Sequence, residues 1–88
     1  MKLSDYQDQV SQMPLYDDLC YGLITEVGEV VDIIKKGSRQ GRSIDRVHLG
    51  EEIADVCWYL TRLASEYDLS MEHLLDGNIE KLNKRHNE

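Results

Sequence analysis

Apolar residues recur at intervals of three or four positions along most of this chain, and this spacing constrains the fold more than any other feature. Residues spaced in this way lie on one face of an α-helix. The 88 residues include one proline and six glycines, and this scarcity of helix breakers favours long helices. The predicted apolar stripes are Leu23, Val27, Val30, Val31 and Ile34; Leu49, Ile53, Val56, Leu60, Leu63 and Ala64; and Met71, Leu74, Leu75 and Leu82.

Residues that start and stop helices divide the chain into four segments. We predict helices over residues 4–12, 14–36, 44–67 and 71–85, with a polar loop at 37–43. Ser4 and Ser70 are suited to N-capping, and Pro14 is suited to a first helical turn. Gly37 follows two lysines, a combination typical of a helix C-terminus.

The predicted fold class is all-α, an antiparallel bundle of one short and three long helices that forms a single domain over residues 1–88. A chain of this length buries only a limited core. We therefore expect association into an oligomer, which completes the core.

The net charge of −7 limits the partners that the chain can bind. No concentrated basic patch is present, so binding to duplex nucleic acid is not expected. A polyanionic ligand is also repelled unless cations lie between it and the protein. No stretch approaches the roughly 20 apolar residues that span a bilayer, so no membrane partner is expected.

Two cysteines, Cys20 and Cys57, stand far apart among apolar residues. Their spacing fits neither a zinc site nor a disulfide framework, so we predict buried, reduced thiols. Residues 1–10 lack the apolar segment of a signal peptide. Both features favour a cytoplasmic location.

Two pairs of acidic residues depart from the pattern of an ordinary bundle. Glu26 and Glu29 are spaced i, i+3 on the second helix, and Glu52 and Asp55 are spaced in the same way on the third. Each pair lies at the edge of an apolar stripe rather than on the opposite face. If these edges face each other, the four carboxylates converge.

Converging carboxylates repel one another, and their desolvation is costly unless a cation lies among them. Oxygen donors without sulfur select Mg²⁺ or Mn²⁺ over zinc. The alternative is that these acids form solvated faces or surface ion pairs.

The fourth helix contains an amide within its apolar stripe. Asn78 lies between Leu75 and Leu82, with Lys81 and Arg85 on the same side. A buried amide needs hydrogen-bonding partners. Either it caps a neighbouring backbone, or it contacts a ligand whose phosphates are bound by the two cations.

Three segments together resemble the MazG-like nucleoside triphosphate pyrophosphohydrolases. They are GLITEVGEV at 22–30 followed by two lysines at 35–36, EIADVCWYL at 52–60, and NIEKLNKR at 78–85. The resemblance extends over roughly residues 4–86. One departure is Thr25, which precedes Glu26 where many relatives have a second acid.

The resemblance implies an all-α pyrophosphatase fold, dimeric or a dimer of dimers, that hydrolyses nucleoside triphosphates between the α and β phosphates. Glu26, Glu29, Glu52 and Asp55 would bind Mg²⁺, with Mn²⁺ as the alternative, and Glu29 or Glu26 would orient or deprotonate the attacking water. The expected substrate contacts are Lys36, Lys81 and Arg85 to phosphates, Tyr59 or Trp58 to the base, and Asn78 for specificity.

Two other classes of protein are compatible with parts of the pattern. The first is a helical bundle that senses nucleotides or binds proteins without catalysis. The second is a di-iron carboxylate bundle, which requires paired Glu-x-x-His motifs. The nearest match to that motif is Asp45-x-x-His48, which occurs once.

Overall fold

The computed structural model describes residues 1–15, 18–41 and 43–87, and within them all regular structure is helical. The helices are α1 (Leu3–Ser11), α2 (Leu19–Arg39), α3 (Arg46–Glu66) and α4 (Met71–His86). The predicted all-α class, with one short and three long helices, is confirmed. In these described ranges no helix is both long and apolar enough to cross a membrane.

The start of α2 differs from the prediction. The helix begins at Leu19, because the Asp18 carboxylate accepts hydrogen bonds from the backbone N–H groups of Cys20 at 2.9 Å and Tyr21 at 3.2 Å. These two bonds satisfy N–H groups that have no partner within the helix. Pro14 and Leu15 are not helical, so the predicted start at Pro14 is wrong, and residues 16 and 17 of that predicted helix lie outside the described residues.

The end of α2 and the start of α3 also shift. Gly37 does not end α2, which continues to Arg39, and Gly41 adopts a left-handed backbone with φ of 61°. The predicted loop is therefore shorter than expected, and its residue Arg42 lies outside the described residues. At the start of α3, the Asp45 carboxylate accepts a hydrogen bond from the His48 N–H at 3.1 Å.

Of the two serines that were predicted to be N-caps, Ser70 caps its helix and Ser4 does not. Ser70 is the N-cap of α4, where its hydroxyl accepts from the His73 N–H at 3.3 Å. Ser4 is not a cap, because α1 begins one residue earlier. There the Asp5 carboxylate accepts a hydrogen bond from the Lys2 backbone N–H at 3.1 Å.

The chain divides into two compact units, and the first comprises Met1–Met13 and Thr61–Glu88. In this unit the Gln7 side chain joins α1 to the turn before α4. Its amide N–H groups donate to the Ser65 hydroxyl at 3.0 Å and the Leu69 carbonyl at 2.8 Å, and its carbonyl accepts from the Met71 N–H at 2.8 Å.

The end of α1 is held in the same unit by an arginine of α3. The Arg62 guanidinium donates to the carbonyls of Val10, at 3.2 Å, and Met13. Val10, Thr61 and Ala64 are the buried residues of this unit. The unit is therefore built on a small core that includes one polar side chain.

The second unit is Pro14–Leu60, which contains α2 and most of α3. A close approach between the two helices occurs at Gly22, where a Cβ atom would overlap the Tyr59 ring. Tyr59 also meets Trp58 edge-to-face, with ring centroids 5.1 Å apart and an angle of 82° between the planes. Gly22 and Ile33 are the buried residues of α2.

The predicted apolar stripes are only partly covered. Of the predicted core residues, Ala64 is buried, whereas Val31 and Ile53 remain 46% and 47% exposed. On α4 no residue is buried, so its predicted stripe is also open. The prediction of buried thiols is wrong, because Cys20 and Cys57 are both exposed.

Candidate metal centre

Three carboxylates from two helices meet in the second unit. Glu26 lies in the middle of α2, and Glu52 and Asp55 lie one turn apart on α3. One oxygen from each carboxylate lies within 4.8 Å of an oxygen of the other two. Glu26 and Glu52 are half-buried and Asp55 is exposed, so the cluster is open to solvent on one side.

The surroundings of Glu26 raise the pKa of its carboxyl group. Its pKa rises from 4.5 to about 7, first because partial burial penalises the charged form. A hydrogen bond with Glu52 raises it further, as do the negative charges of Asp55, Glu52 and Glu29. At neutral pH a proton therefore remains on the Glu26 carboxyl for a substantial fraction of the time, and a cation bound there competes with that proton.

The donor set of this cluster fits a hard divalent cation. All three groups offer carboxylate oxygen, which Mg²⁺ and Mn²⁺ prefer, and neither cysteine is among them. Mg²⁺ usually binds through a few carboxylates and retains water or phosphate oxygens in its other positions. The three carboxylates offer oxygen ligands, and the solvent-exposed side of the cluster leaves room for water or phosphate oxygens in the other positions.

The fourth predicted ligand, Glu29, is not a member of this three-residue cluster. It is exposed and lies one turn after Glu26, where it lines a neighbouring pocket. Its charge contributes to the raised pKa of Glu26, but it is the smallest of the contributions. The structure therefore brings together three of the four predicted carboxylates and leaves Glu29 beside them.

That pocket, of about 330 Å³, lies between the second half of α2 and the start of α3. Lys36 is at its wall, where its ammonium group lies 2.9 Å from the Asp32 carboxylate. The hydrogen bond that Lys36 donates to Asp32 raises the pKa of Lys36. This lysine is exposed, so the pairing is one that a ligand can displace at little cost.

His48 also lines the pocket and has a partner that the sequence analysis did not identify. Its Nε2 atom lies 3.4 Å from a carboxylate oxygen of Glu52. The two residues are spaced i, i+4 on α3, and side chains at that spacing are neighbours on a helix. That spacing is the signal in the sequence that could have identified the pair.

The other predicted substrate contacts lie on α3 and α4. Tyr59 packs against Gly22 and Trp58. Asn78, Lys81 and Arg85 lie on α4, in the other compact unit, and all are exposed. The prediction that Asn78 is a buried amide is wrong for the single chain, because α4 has no buried residue.

These features define a class, an all-helical protein with a cluster of carboxylates beside a small pocket. The family model described as the MazG nucleotide pyrophosphohydrolase domain matches residues 16–88. The chain belongs to this family, and the resemblance identified from the three motifs is confirmed.

Comparison with individual proteins adds one phage relative. The Gene 37 protein of Mycobacterium phage L5 is 32% identical over 68 residues, which cover 73% of this chain and 60% of that protein. The matched part therefore spans less than two thirds of the relative's length. The printed name of the relative states no activity. No solved structure gives a significant match.

Proposed function

We propose that the protein hydrolyses nucleoside triphosphates at the α–β phosphate bond, yielding a nucleoside monophosphate and pyrophosphate. The observation that supports this most directly is the meeting of Glu26, Glu52 and Asp55 in a chain of the MazG family. A triphosphate and an acidic site repel each other, and a divalent cation between them removes that repulsion.

Glu26, Glu52 and Asp55, with Glu29 beside them, are proposed to bind Mg²⁺, and Mn²⁺ has the same donor preference. The bound cation supplies charge neutralisation for the triphosphate and its leaving group. The carboxylate cluster holds it while leaving its open side for the substrate.

One glutamate is proposed to activate water. Glu29, or alternatively Glu26, accepts a proton as the water oxygen attacks phosphorus. The bond between the α and β phosphates breaks and its electron pair leaves with pyrophosphate. Glu29 is suited to this role because it is exposed and lies beside the cluster.

The substrate contacts remain those expected from the sequence. Lys36, Lys81 and Arg85 are proposed to bind phosphate oxygens, and Tyr59 and Asn78 are proposed to contact the nucleoside. Lys36 is the cation whose surroundings support this most clearly, because its exposed ammonium lies at the wall of the pocket, within reach of phosphates held outside it. Nucleoside triphosphates are abundant in the cytoplasm, where the protein is proposed to act.

The chain is proposed to work as a homodimer or homotetramer. Residues of the predicted stripes, including Val27, Val31 and Ile53, line an apolar groove of about 250 Å³ within the second unit. Removal of such apolar surface from water is a favourable term in protein association. A second copy is the occupant expected for this groove, since the family resemblance implies an oligomer.

The test measures pyrophosphate release from a panel of deoxynucleoside triphosphates with Mg²⁺. Asp55→Asn and Glu29→Gln should each reduce the rate by about 100-fold or more while the helical circular dichroism signal remains. Glu51→Gln is the matched control, because Glu51 is exposed and outside the cluster. Wild-type rates in both site variants would contradict the mechanism.

The same experiment separates the enzyme from the non-catalytic alternative. A nucleotide-sensing bundle would gain thermal stability from a deoxynucleoside triphosphate with Mg²⁺ but release no pyrophosphate. An enzyme shows both effects. Product analysis by phosphorus NMR distinguishes cleavage between the α and β phosphates from loss of the γ phosphate.

A further inference from the structure

The pocket between α2 and α3 borders the carboxylate cluster without being part of it. Glu29 lines the pocket, and His48 lines it while contacting Glu52 of the cluster. A ligand whose phosphates are held at the cluster therefore has this pocket within its reach. From its position, size and lining we infer that it binds the nucleoside of the substrate, an inference that rests on the proposed function.

The size of the pocket suits part of a nucleotide. Small-molecule pockets have volumes of roughly 300–1,000 Å³, and this one, at about 330 Å³, is at the lower limit. It accommodates a base and its sugar more readily than a nucleotide with three phosphates. The triphosphate then remains outside, at the carboxylate cluster.

The charge of the pocket favours a neutral group over a phosphate. Glu29, Asp32 and Asp45 contribute carboxylates, and the Lys36 ammonium that opposes them is already paired with Asp32 at 2.9 Å. A bare phosphate placed here meets more negative than positive charge among the lining residues that the structure describes. Sugar hydroxyls and base amino groups instead donate hydrogen bonds to carboxylates.

The remaining lining supplies both polar and apolar contacts. Gln40 and Ser43 lie in the connection between α2 and α3, and within the described part of the chain their side chains make no hydrogen bond. An amide and a hydroxyl both donate and accept, as base edges and sugar hydroxyls do. Ile33 and Ile44 provide the apolar surface that a base or sugar ring covers.

The inference makes Gln40 and Ser43 specificity-determining residues. They act in addition to Tyr59 and Asn78, which lie outside the lining of this pocket. Substitutions of residues that line the pocket leave Tyr59 and Asn78 unchanged. Their effects on nucleotide binding can therefore be separated from the contacts that Tyr59 and Asn78 make.

The test compares equilibrium binding of two probes in the presence of Mg²⁺. One is a set of α,β-methylene deoxynucleoside triphosphates, which resist cleavage, and the other is inorganic tripolyphosphate, which has no nucleoside. Ile44→Trp fills the pocket, and Gln40→Ala with Ser43→Ala removes its polar groups. Val47→Trp is the matched control, because Val47 is 74% exposed and outside the lining.

We expect Ile44→Trp to weaken nucleotide binding by about tenfold or more and to leave tripolyphosphate binding unchanged. The double alanine variant should do the same to a smaller extent, and it keeps the test valid if the tryptophan disturbs folding. Unchanged nucleotide binding in the double variant and in a folded Ile44→Trp protein overturns the inference. Equal weakening of both probes also overturns it, since the pocket would then bind phosphate.

The outcome of this binding test does not depend on whether the protein hydrolyses the nucleotide. If wild-type protein releases no pyrophosphate but shows the selective loss of nucleotide binding, the pocket assignment stands and the proposed hydrolysis fails. If it releases pyrophosphate and the pocket variants bind nucleotide normally, hydrolysis stands and the pocket assignment fails. If it binds no nucleotide at all, both fail.

Discussion

The Tyr59 ring of α3 occupies the space that a Cβ atom on Gly22 of α2 would require. This contact fixes how closely the two helices approach in the unit that contains Glu26, Glu52 and Asp55. Because all three carboxylates belong to those same helices, the Gly22–Tyr59 contact helps to set the spacing of the proposed cation site.

Gly22→Ala should therefore destabilise the protein. The added methyl group forces Tyr59 to move, and overpacking of this kind costs about 1–3 kcal/mol. Gly28→Ala is the control in the same helix, because nothing lies within 4 Å of the Cβ position there. That control should stabilise the helix by about 0.5–1 kcal/mol. Denaturant midpoints measure both, and equal effects of the two substitutions would contradict the packing described.

The stability of the protein without divalent cations should fall as the pH rises between about 4.5 and 7. Glu26 has a pKa of about 7 in the folded protein and an ordinary value of 4.5, so the folded state binds more protons in this interval. The stabilisation is complete below 4.5 and lost as the pH passes through 7. Thermal unfolding measured from pH 4 to 8 in a chelator checks the direction.

Glu26→Gln should remove most of that pH dependence. The neutral amide mimics the protonated carboxyl, so at pH 8 the variant should be more stable than the wild type by about 1 kcal/mol, or about 4–8 °C in Tm. Glu51→Gln, an exposed residue of α3, should leave the pH profile unchanged. A variant profile that parallels the wild type would show that Glu26 is not the group responsible.

Mg²⁺ should stabilise the protein more at pH 8 than at pH 6. A cation at the cluster competes with the proton on Glu26, whose pKa is about 7, and that proton is largely absent at pH 8. The measurement is the rise in Tm on adding MgCl₂ at each pH, with NaCl of equal ionic strength as the control for screening. A rise of the same size at both pH values would argue against binding at Glu26.

Arg62→Met should loosen α1. The Arg62 guanidinium donates to the Val10 and Met13 carbonyls at the end of α1, and hydrogen bonds from charged groups contribute about 1.5–3 kcal/mol. Glu66→Gln is the control, because it removes only the negative charge from the i, i+4 partner of the Arg62 Nε–H, a pair worth about 0.3–0.5 kcal/mol. Hydrogen exchange should accelerate in α1 in the first variant and remain slow in the second.

Val31→Glu should weaken self-association. Val31 is 46% exposed and lines the apolar groove, so a charge there would be buried without a partner in an oligomer. Val47→Glu places the same charge at a position that is 74% exposed and outside the groove. Analytical ultracentrifugation should show a shift toward monomer for the first variant alone. Identical distributions for both variants would place the interface elsewhere.

Much of the local structure followed from residue spacing. Apolar periodicity predicted four helices, and Ser70 was correctly identified as an N-cap. The errors occurred at helix ends, where side chains compete for the same backbone groups. Asp18 accepts two hydrogen bonds from the first turn of α2, and this set the start of the helix after Leu15 rather than at Pro14.

Residue spacing also predicted part of the candidate site. Spacing within one helix placed Glu52 next to Asp55, because positions i and i+3 are neighbours on a helix. It also suggested equal roles for Glu26 and Glu29. The structure places Glu26 in the cluster and Glu29 along the adjoining pocket, a difference that depends on where α2 crosses α3.

The sequence alone determined the helices, the acidic pairs and the family, because these depend on interactions between residues close together in the chain. Tertiary structure decided that the pKa of Glu26 is raised, that Gly22 lies against an aromatic ring, and that a pocket opens beside the cluster. The physical reason is that contacts between helices depend on the rotation and distance of whole helices. Those quantities are set by packing over many residues and are not encoded in any single spacing.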